Sequence, residues 1–224
     1  MPYVYVNVRW LFSRRLSMAG SKGARSYSAP SPARRNGKAD PGMTRHSTPI
    51  DPPLLETPRL RMRPHRAEDF DDVAAMWAEP AVARHISGKP STRQESWARL
   101  LRYIGHWQVL PYGFWVLEDK ATGQFLGEVG FADFRRDIQP SLDGVPEIGW
   151  ILRSAAHGRG LASEAVAAAL AWSDESLESD RTVCLIDPEN AASLRVAAKN
   201  GYREYARTTF MDRPTVLLAR PRGG

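Results

Sequence analysis

The sequence predicts an α+β fold: a twisted mixed sheet of about seven strands flanked by helices. Three observations carry that expectation. Period-two and helical patterns alternate in the order strand, helices, three strands, helix, strand, helix, two strands. Glu147 to Asp187 reads as strand, helix, strand, which lays two strands parallel inside a sheet that otherwise reads as antiparallel. The chain has 224 residues, 42% hydrophobic and 25% charged, which fits one globular domain with an appendage.

Each element has its own warrant. Arg59 to Arg63 alternates Leu60 and Met62 with arginines, a half-buried strand. Phe70, Val73, Ala74 and Trp77 fall on one helical face, with Glu68 and Asp69 in the favourable first turn and Pro80 as the stop. Ser91 or Thr92 caps a second helix, each with Gln94 or Glu95 three residues on; Trp97, Leu101 and Ile104 form its stripe, and it stops before Pro111. Gly113 to Glu118 and Gln124 to Phe134 form a hairpin turned through Lys120, Thr122 and Gly123. A polar loop, Arg135 to Pro146, precedes the strand Glu147 to Leu152, and a helix follows from about Leu161 to Trp172. Thr182 to Ile186 is an apolar strand, Asp187 to Asn200 a helix, and two strands lie near Tyr202 to Phe210 and Pro214 to Arg220.

The net charge of +6 is unevenly placed. Residues 1–50 hold nine Lys/Arg against one acid, Asp40, while the other 174 hold 22 against 24. The basicity belongs to a Ser-, Pro-, Gly- and Arg-rich leader, which is expected to be disordered because it buries too little apolar surface to order itself. Four readings compete for it: an organellar transit peptide, weakened by the poor amphipathic stripe of Val4 to Phe12; a secretory signal, weakened further by Asn7 and Arg9 in its apolar stretch; a flexible tail; and a translation start at Met43 that leaves residues 1–42 out of the product. The domain proper is expected over residues 56–220. The longest apolar run, Ala165 to Trp172, is eight residues, against the ~20 a membrane span needs. Cys184 is the one cysteine, and no Cys/His cluster has zinc-ligand spacing, so a disulfide framework and a metal centre are not expected and a cytoplasmic setting is.

Two constellations carry chemistry. The turn Arg153-Ser-Ala-Ala-His157-Gly158-Arg159-Gly160-Leu161-Ala162-Ser163-Glu164 leads from a strand into a helix. Its glycines let backbone N–H groups and the positive helix end converge, which suits a phosphate-bearing ligand. It lacks the Lys-Ser/Thr of a Walker loop, and Ser163 stands where a dinucleotide fingerprint needs Gly or Ala. The second, Asp187-Pro-Glu-Asn190-Ala-Ala-Ser193 through Lys199-Asn-Gly-Tyr202, is a well-capped helix. Asn190 and Ser193 on its first turn can also face a ligand in the cleft where the sheet opens.

With Glu147-Ile-Gly-Trp-Ile-Leu152, the turn His157 to Ala165, the Asn190-Ala-Ala-Ser193 and Lys199-Asn-Gly-Tyr202 segments, and the opening Leu55-Glu-Thr-Pro-Arg-Leu-Arg-Met-Arg63, the sequence resembles the GNAT acetyltransferases from about Glu56 to Arg220. Within that family it is most similar to the RimJ and RimL ribosomal-protein N-terminal acetyltransferases. The family's Gln or Arg at the head of the loop is His157 here. The resemblance implies that the fourth and fifth strands splay around acetyl-CoA. Its pantetheine arm pairs with Glu147, Ile148, Gly149, Trp150, Ile151 and Leu152. The pyrophosphate rests on amides from Gly158 to Ser163, including Gly160, Leu161 and Ala162. His157 and Lys199 are further candidates for the cofactor, Arg153 and Arg159 would pair with phosphates, and Asn190 would hydrogen-bond the pantetheine.

Acetyl transfer to an amine needs a neutral amine, a stabilised oxyanion and a proton for the departing thiolate. Deprotonating a free lysine at pH 7 costs about 4.6 kcal/mol, an α-amino group only about 1.1 kcal/mol. Glu147 is the candidate base, Ser193 the candidate partner of the CoA sulfur, and Tyr202 a second candidate for that role. Cys184, mid-strand, reads as a buried inert thiol, and Trp97, Trp107 and Trp115 as core. The expected function is acetyl-CoA-dependent N-acetylation of a small-molecule amine or protein N-terminus, by a monomer or homodimer, without metal, membrane or nucleic acid. A non-catalytic CoA-binding module, or a ribosome- or nucleic-acid-associated protein acting through its leader, are the alternatives.

Overall fold

The computed structural model describes residues 51–224; the basic leader and the candidate start at Met43 lie outside the described residues. The strands are β1 (Leu55–Glu56), β2 (Leu60–Pro64), β3 (Phe114–Asp119), β4 (Phe125–Ala132), β5 (Glu147–Leu152), β6 (Arg181–Ile186), β7 (Arg203–Phe210) and β8 (Arg213–Pro221). The helices are α1 (Phe70–Trp77), α2 (Pro80–Ala83), α3 (Arg93–Val109), α4 (Leu161–Ser176) and α5 (Ala191–Lys199). All eight strands join one sheet in the order β1-β2-β3-β4-β5-β6-β8-β7. The strand beyond the expected seven is β1, two residues too short to show a period.

Among the described strands only β5 and β6 run parallel, and they are joined at a single register pair, Glu147 opposite Val183. The Val183 N–H donates to the Pro146 carbonyl at 3.1 Å, and beyond that point the strands separate. This is the splay expected between the fourth and fifth strands, here β5 and β6. Helices cover both faces. On one, Ala165, Val166, Ala169 and Leu170 of α4 and Ala197 of α5 pack on Trp115, Val129, Ile148 and Cys184. On the other, Val73, Met76 and Trp77 of α1 and Leu100 and Tyr103 of α3 pack on Phe114, Val116 and Ile151. The polar loop after β4 buries Ile138 and Leu142 against Val183 and Leu217, which anchors it across the closed end of the splay.

The helix boundaries refine the sequence reading: α4 runs on to Ser176 rather than Trp172, and α5 begins at Ala191 rather than Asp187, with Asn190 as its cap. Pro80 opens α2 instead of merely stopping α1, since proline at the first helical position loses no hydrogen bond. Thr92, not Ser91, caps α3: its Oγ1 accepts from the Glu95 N–H while Glu95 accepts from the Thr92 N–H.

Candidate active site

The splay leaves one edge of β5 without a strand partner. The Arg153 N–H donates to the Leu126 carbonyl at 2.9 Å, so odd-numbered residues of β5 turn their backbone groups to β4. Ile148, Trp150 and Leu152 therefore turn theirs to the gap. An extended amide-bearing ligand fits such an edge as an added strand.

At the open end of β5, Gly158 and Gly160 adopt φ of +73° and +76°. Gly160 is the N-cap of α4 and no side chain caps the helix. The amides of Leu161, Ala162 and Ser163 thus point outward with the positive helix end behind them, as a diphosphate requires. His157 closes the turn: its Nε2 lies 2.8 Å from the Leu152 carbonyl, and because a carbonyl only accepts, Nε2 carries the proton. Arg159 is half-exposed, with Nη2 3.8 Å from Asp119. Arg153 instead reaches back to α1, with Nη1 3.2 Å from Asp72, and the backbone of Ser154 donates to Glu79 at 2.9 Å.

Three residues outside the expected set hold this turn in place. Glu164 accepts from Thr57 Oγ1 at 2.6 Å, from the Arg59 N–H at 3.0 Å and from Arg59 Nε at 2.6 Å. Arg59 Nη1 then donates to the Arg159 carbonyl at 2.8 Å. Burial raises the Glu164 carboxyl, but the hydrogen bonds from Thr57 and Arg59 outweigh it and hold the group below its ordinary value. Sequence reading gave Glu164 only a dipole role; contacts across more than 100 residues have no local signal.

Glu147 is buried on the α1/α3 face of β5. Arg136, from the loop anchored by Ile138 and Leu142, donates Nε to Oε2 at 2.7 Å and Nη2 to Oε1 at 2.8 Å. The carboxylate is therefore held in one orientation, not free as a lone base would be. Each oxygen keeps a further lone pair for a water or an amine, since a carboxylate offers about four acceptor sites. Deeper on the same face, Glu128 is fully buried and accepts from His65 Nε2 at 2.9 Å and Trp77 Nε1 at 3.0 Å.

The first turn of α5 stands across the gap. Asn190 is its N-cap, with Oδ1 accepting the Ser193 N–H at 3.0 Å, so its amide nitrogen and one lone pair of Oδ1 are left to meet a ligand. The Ser193 hydroxyl has no hydrogen-bond partner among the described residues and is half-buried. Tyr202 is not brought to this place. Its hydroxyl is taken by Thr182 at the start of β6, within the cluster that packs under α4 and α5, and burial pushes its pKa up. Lys199 also lies elsewhere: it lines a groove with Ala167, Ala171 and Asp174, at the opposite end of α4 from the phosphate turn. Cys184 is buried, and burial raises its thiol. Trp107 and Trp115 are core, packed edge to face at 4.9 Å, whereas Trp97 is partly exposed against Phe70. Among the described residues no group of three His, Cys, Asp or Glu is placed to hold a metal, and no helix is long and apolar enough to cross a membrane.

A sheet split between two parallel strands, with an uncapped helix end at its mouth, leaves a cleft open to a ligand that joins an amide-bearing arm to a phosphate. Residues 59–203 match the Acetyltransferase (GNAT) domain. The chain is 33% identical to the uncharacterized protein YkkB of Bacillus subtilis over 161 residues, 69% of this chain and 87% of YkkB. A solved GNAT-family acetyltransferase structure from Bordetella pertussis is 36% identical with a TM-score of 0.68, covering 75% of this chain and 99% of that one. A structure of RimL, the ribosomal L7/L12 alpha-N-protein acetyltransferase, in complex with coenzyme A shares the fold at 14% identity and a TM-score of 0.63, covering 75% of this chain and 98% of that one. This chain belongs to the GNAT acetyltransferase family. It is an acyltransferase of a fold that uses acetyl-CoA.

Proposed function

We propose that the chain moves an acetyl group from acetyl-CoA to a primary amine, a protein N-terminus or a small molecule, by direct attack within a ternary complex in a reducing cytosol. The observation that carries this reading is the single Glu147–Val183 pairing, which opens β5 to a pantetheine arm while keeping Glu147 at the fork of the splay. The thioester supplies the activated acetyl group. Trp150 and Ile148 offer backbone groups to the arm, and the amides of Leu161 to Ser163, with Arg159, hold the diphosphate.

The amine approaches from the α1/α3 face, where Glu147 takes its proton directly or through a water as nitrogen attacks the carbonyl carbon. The C–S bond then breaks and Ser193 Oγ–H supports the departing sulfur. An α-amino acceptor needs little assistance, because its neutral form lies only about 1.1 kcal/mol away at pH 7. Proximity in the cleft supplies much of the remainder. The likeness to RimL supports a protein N-terminus as one acceptor, within a RimJ/RimL-like branch.

Initial rates over both substrates, followed as thiol release, test the order of events. Direct transfer predicts intersecting reciprocal lines and no thiol release before amine is added. Parallel lines with a stoichiometric burst of free CoA would reject it in favour of an acetyl-enzyme.

A further inference from the structure

On the α1/α3 face beside Glu147, two arginines of α3 form no ion pair among the described residues. Arg99, Arg102 and His106 lie at i, i+3 and i+7 on the flank of α3 next to its buried stripe of Ser96, Leu100, Tyr103 and Trp107. Arg99 is half-buried, with its guanidinium carbon 3.5 Å from the Trp77 ring centroid, and its side-chain hydrogen bonds among the described residues are two long ones of 3.4 Å to Ser91 Oγ. Arg102 lies 5.2 Å from the Phe134 ring and His106 5.7 Å from it. Arg136 packs on the same ring at 4.5 Å while it holds Glu147. Phe134 thus forms the floor between the α3 flank and the candidate base.

Among the described residues, neither Arg99 nor Arg102 has a carboxylate within 4.0 Å. The nearby acids are already engaged. Glu128 is bound by His65 and Trp77, Glu147 by Arg136, Asp133 by Arg135 at 2.8 Å and the Gly144 N–H at 3.1 Å, and Glu95 by the α3 cap. Burial lowers the Arg99 pKa, and the more distant attraction of Tyr103, Glu128 and Glu95 only partly offsets that loss of water. The His106 Nδ1 is likewise buried with no hydrogen-bond partner. A desolvated guanidinium, an exposed one and aromatic rings on one wall are the complement of an anionic group attached to an apolar spacer.

We infer that the acceptor is a primary amine that also carries a carboxylate or phosphate, with the anion held by Arg99 and Arg102 and the spacer lying on Phe134, so that the amine reaches Glu147. This rests on the acetyl-transfer reading and names the substrate class of that same site.

Matched amines test it: 6-aminohexanoate against hexylamine, tyramine O-phosphate against tyramine, and a tripeptide with Glu against Gln at its second position. The third pair separates a protein N-terminus from a free small amine as the source of the anion. The anionic member of at least one pair is expected to show about tenfold higher kcat/KM. That preference should shrink to about twofold or less in the Arg99→Gln/Arg102→Gln double variant. Calorimetric titration of the variant with acetyl-CoA reports that its fold and donor site are intact. Equal kcat/KM within every pair, or a preference that survives in the double variant, overturns the inference. If no amine is acetylated, the acetyl-transfer reading fails separately. Calorimetry of the CoA-bound protein with 6-aminohexanoate and hexylamine then decides the inference, tighter binding of the anionic amine supporting it and equal binding overturning it.

Discussion

The guanidinium of Arg136 forks onto both oxygens of Glu147 while its flat faces meet Phe134 at 4.5 Å and Phe210 at 4.8 Å. A carboxylate at the fork of the splay is thereby fixed by a residue from the loop over its closed end, and the two members of the pair have different burdens. Glu147 is the more buried, with 9% of its side chain exposed against 23% for Arg136.

Removing either partner should separate stability from rate. Arg136→Gln leaves a buried carboxylate unpaired and is expected to lose about 3 kcal/mol of unfolding free energy. Glu147→Gln keeps the shape and leaves a guanidinium that water can reach, so its stability loss should be smaller. Its kcat/KM should fall about a hundredfold, the lower range for a lost general base. Urea unfolding and steady-state rates on both variants check this; an unchanged rate in Glu147→Gln removes the residue from the proton transfer.

The phosphate turn depends on two left-handed residues. In Gly160→Ala the added Cβ would lie 3.6 Å from Arg59 Nη2, an ordinary contact, so the penalty is backbone strain. That strain is about 1–2 kcal/mol. Because it moves the amides proposed to meet the diphosphate, acetyl-CoA binding by calorimetry should weaken as well. Gly158→Ala, with open space around its Cβ, should behave the same way.

Glu164 ties that turn to the start of β2. Glu164→Ala strips Thr57 and Arg59 of their acceptor and should cost about 1–2 kcal/mol. The half-exposed Arg59 contributes little of it through charge alone. The variant should also bind acetyl-CoA more weakly while the Glu147 region is untouched, so kcat at saturating acetyl-CoA should change less than its KM.

His106 sets a pH dependence. Burial, with Arg102 nearby, pushes its pKa down from 6.5 to about 4. Between those values the unfolded chain takes up a proton that the folded one refuses, so the stability contribution is complete above about 6.5 and declines as pH falls toward 4. Urea midpoints at pH 7 and pH 5 should differ in the wild type, and His106→Gln should narrow the difference.

Much of this architecture is legible in the residue order. Glu147 to Leu152 is a strand with the expected ends, and the helix after the glycine turn starts at Leu161 as its pattern indicates. Both depend on short-range signals: apolar spacing, a glycine punctuation, a cap. The site's supports are not legible for the complementary reason. Arg136 reaches Glu147 through an 11-residue separation without periodicity, and Thr57 and Arg59 reach Glu164 across more than 100 residues. Tyr202 follows the α5 glycine in the manner the pattern requires, but the sheet face it enters is fixed by packing under α4, which turns its hydroxyl to Thr182. Asn190 fits both readings, since capping takes one lone pair of its oxygen and leaves its nitrogen.

The most direct measurement follows the acetyl group itself. Acetyl-CoA labelled in the acetyl carbons, incubated with the protein and a primary amine, is resolved by mass spectrometry into acetylated amine, free acetate and acetylated protein. Transfer at the β5–β6 splay predicts that label appears on the amine in step with free CoA, and that Glu147→Gln slows both together. Label that stays in acetyl-CoA, or leaves only as acetate at a rate indifferent to every amine, would contradict it.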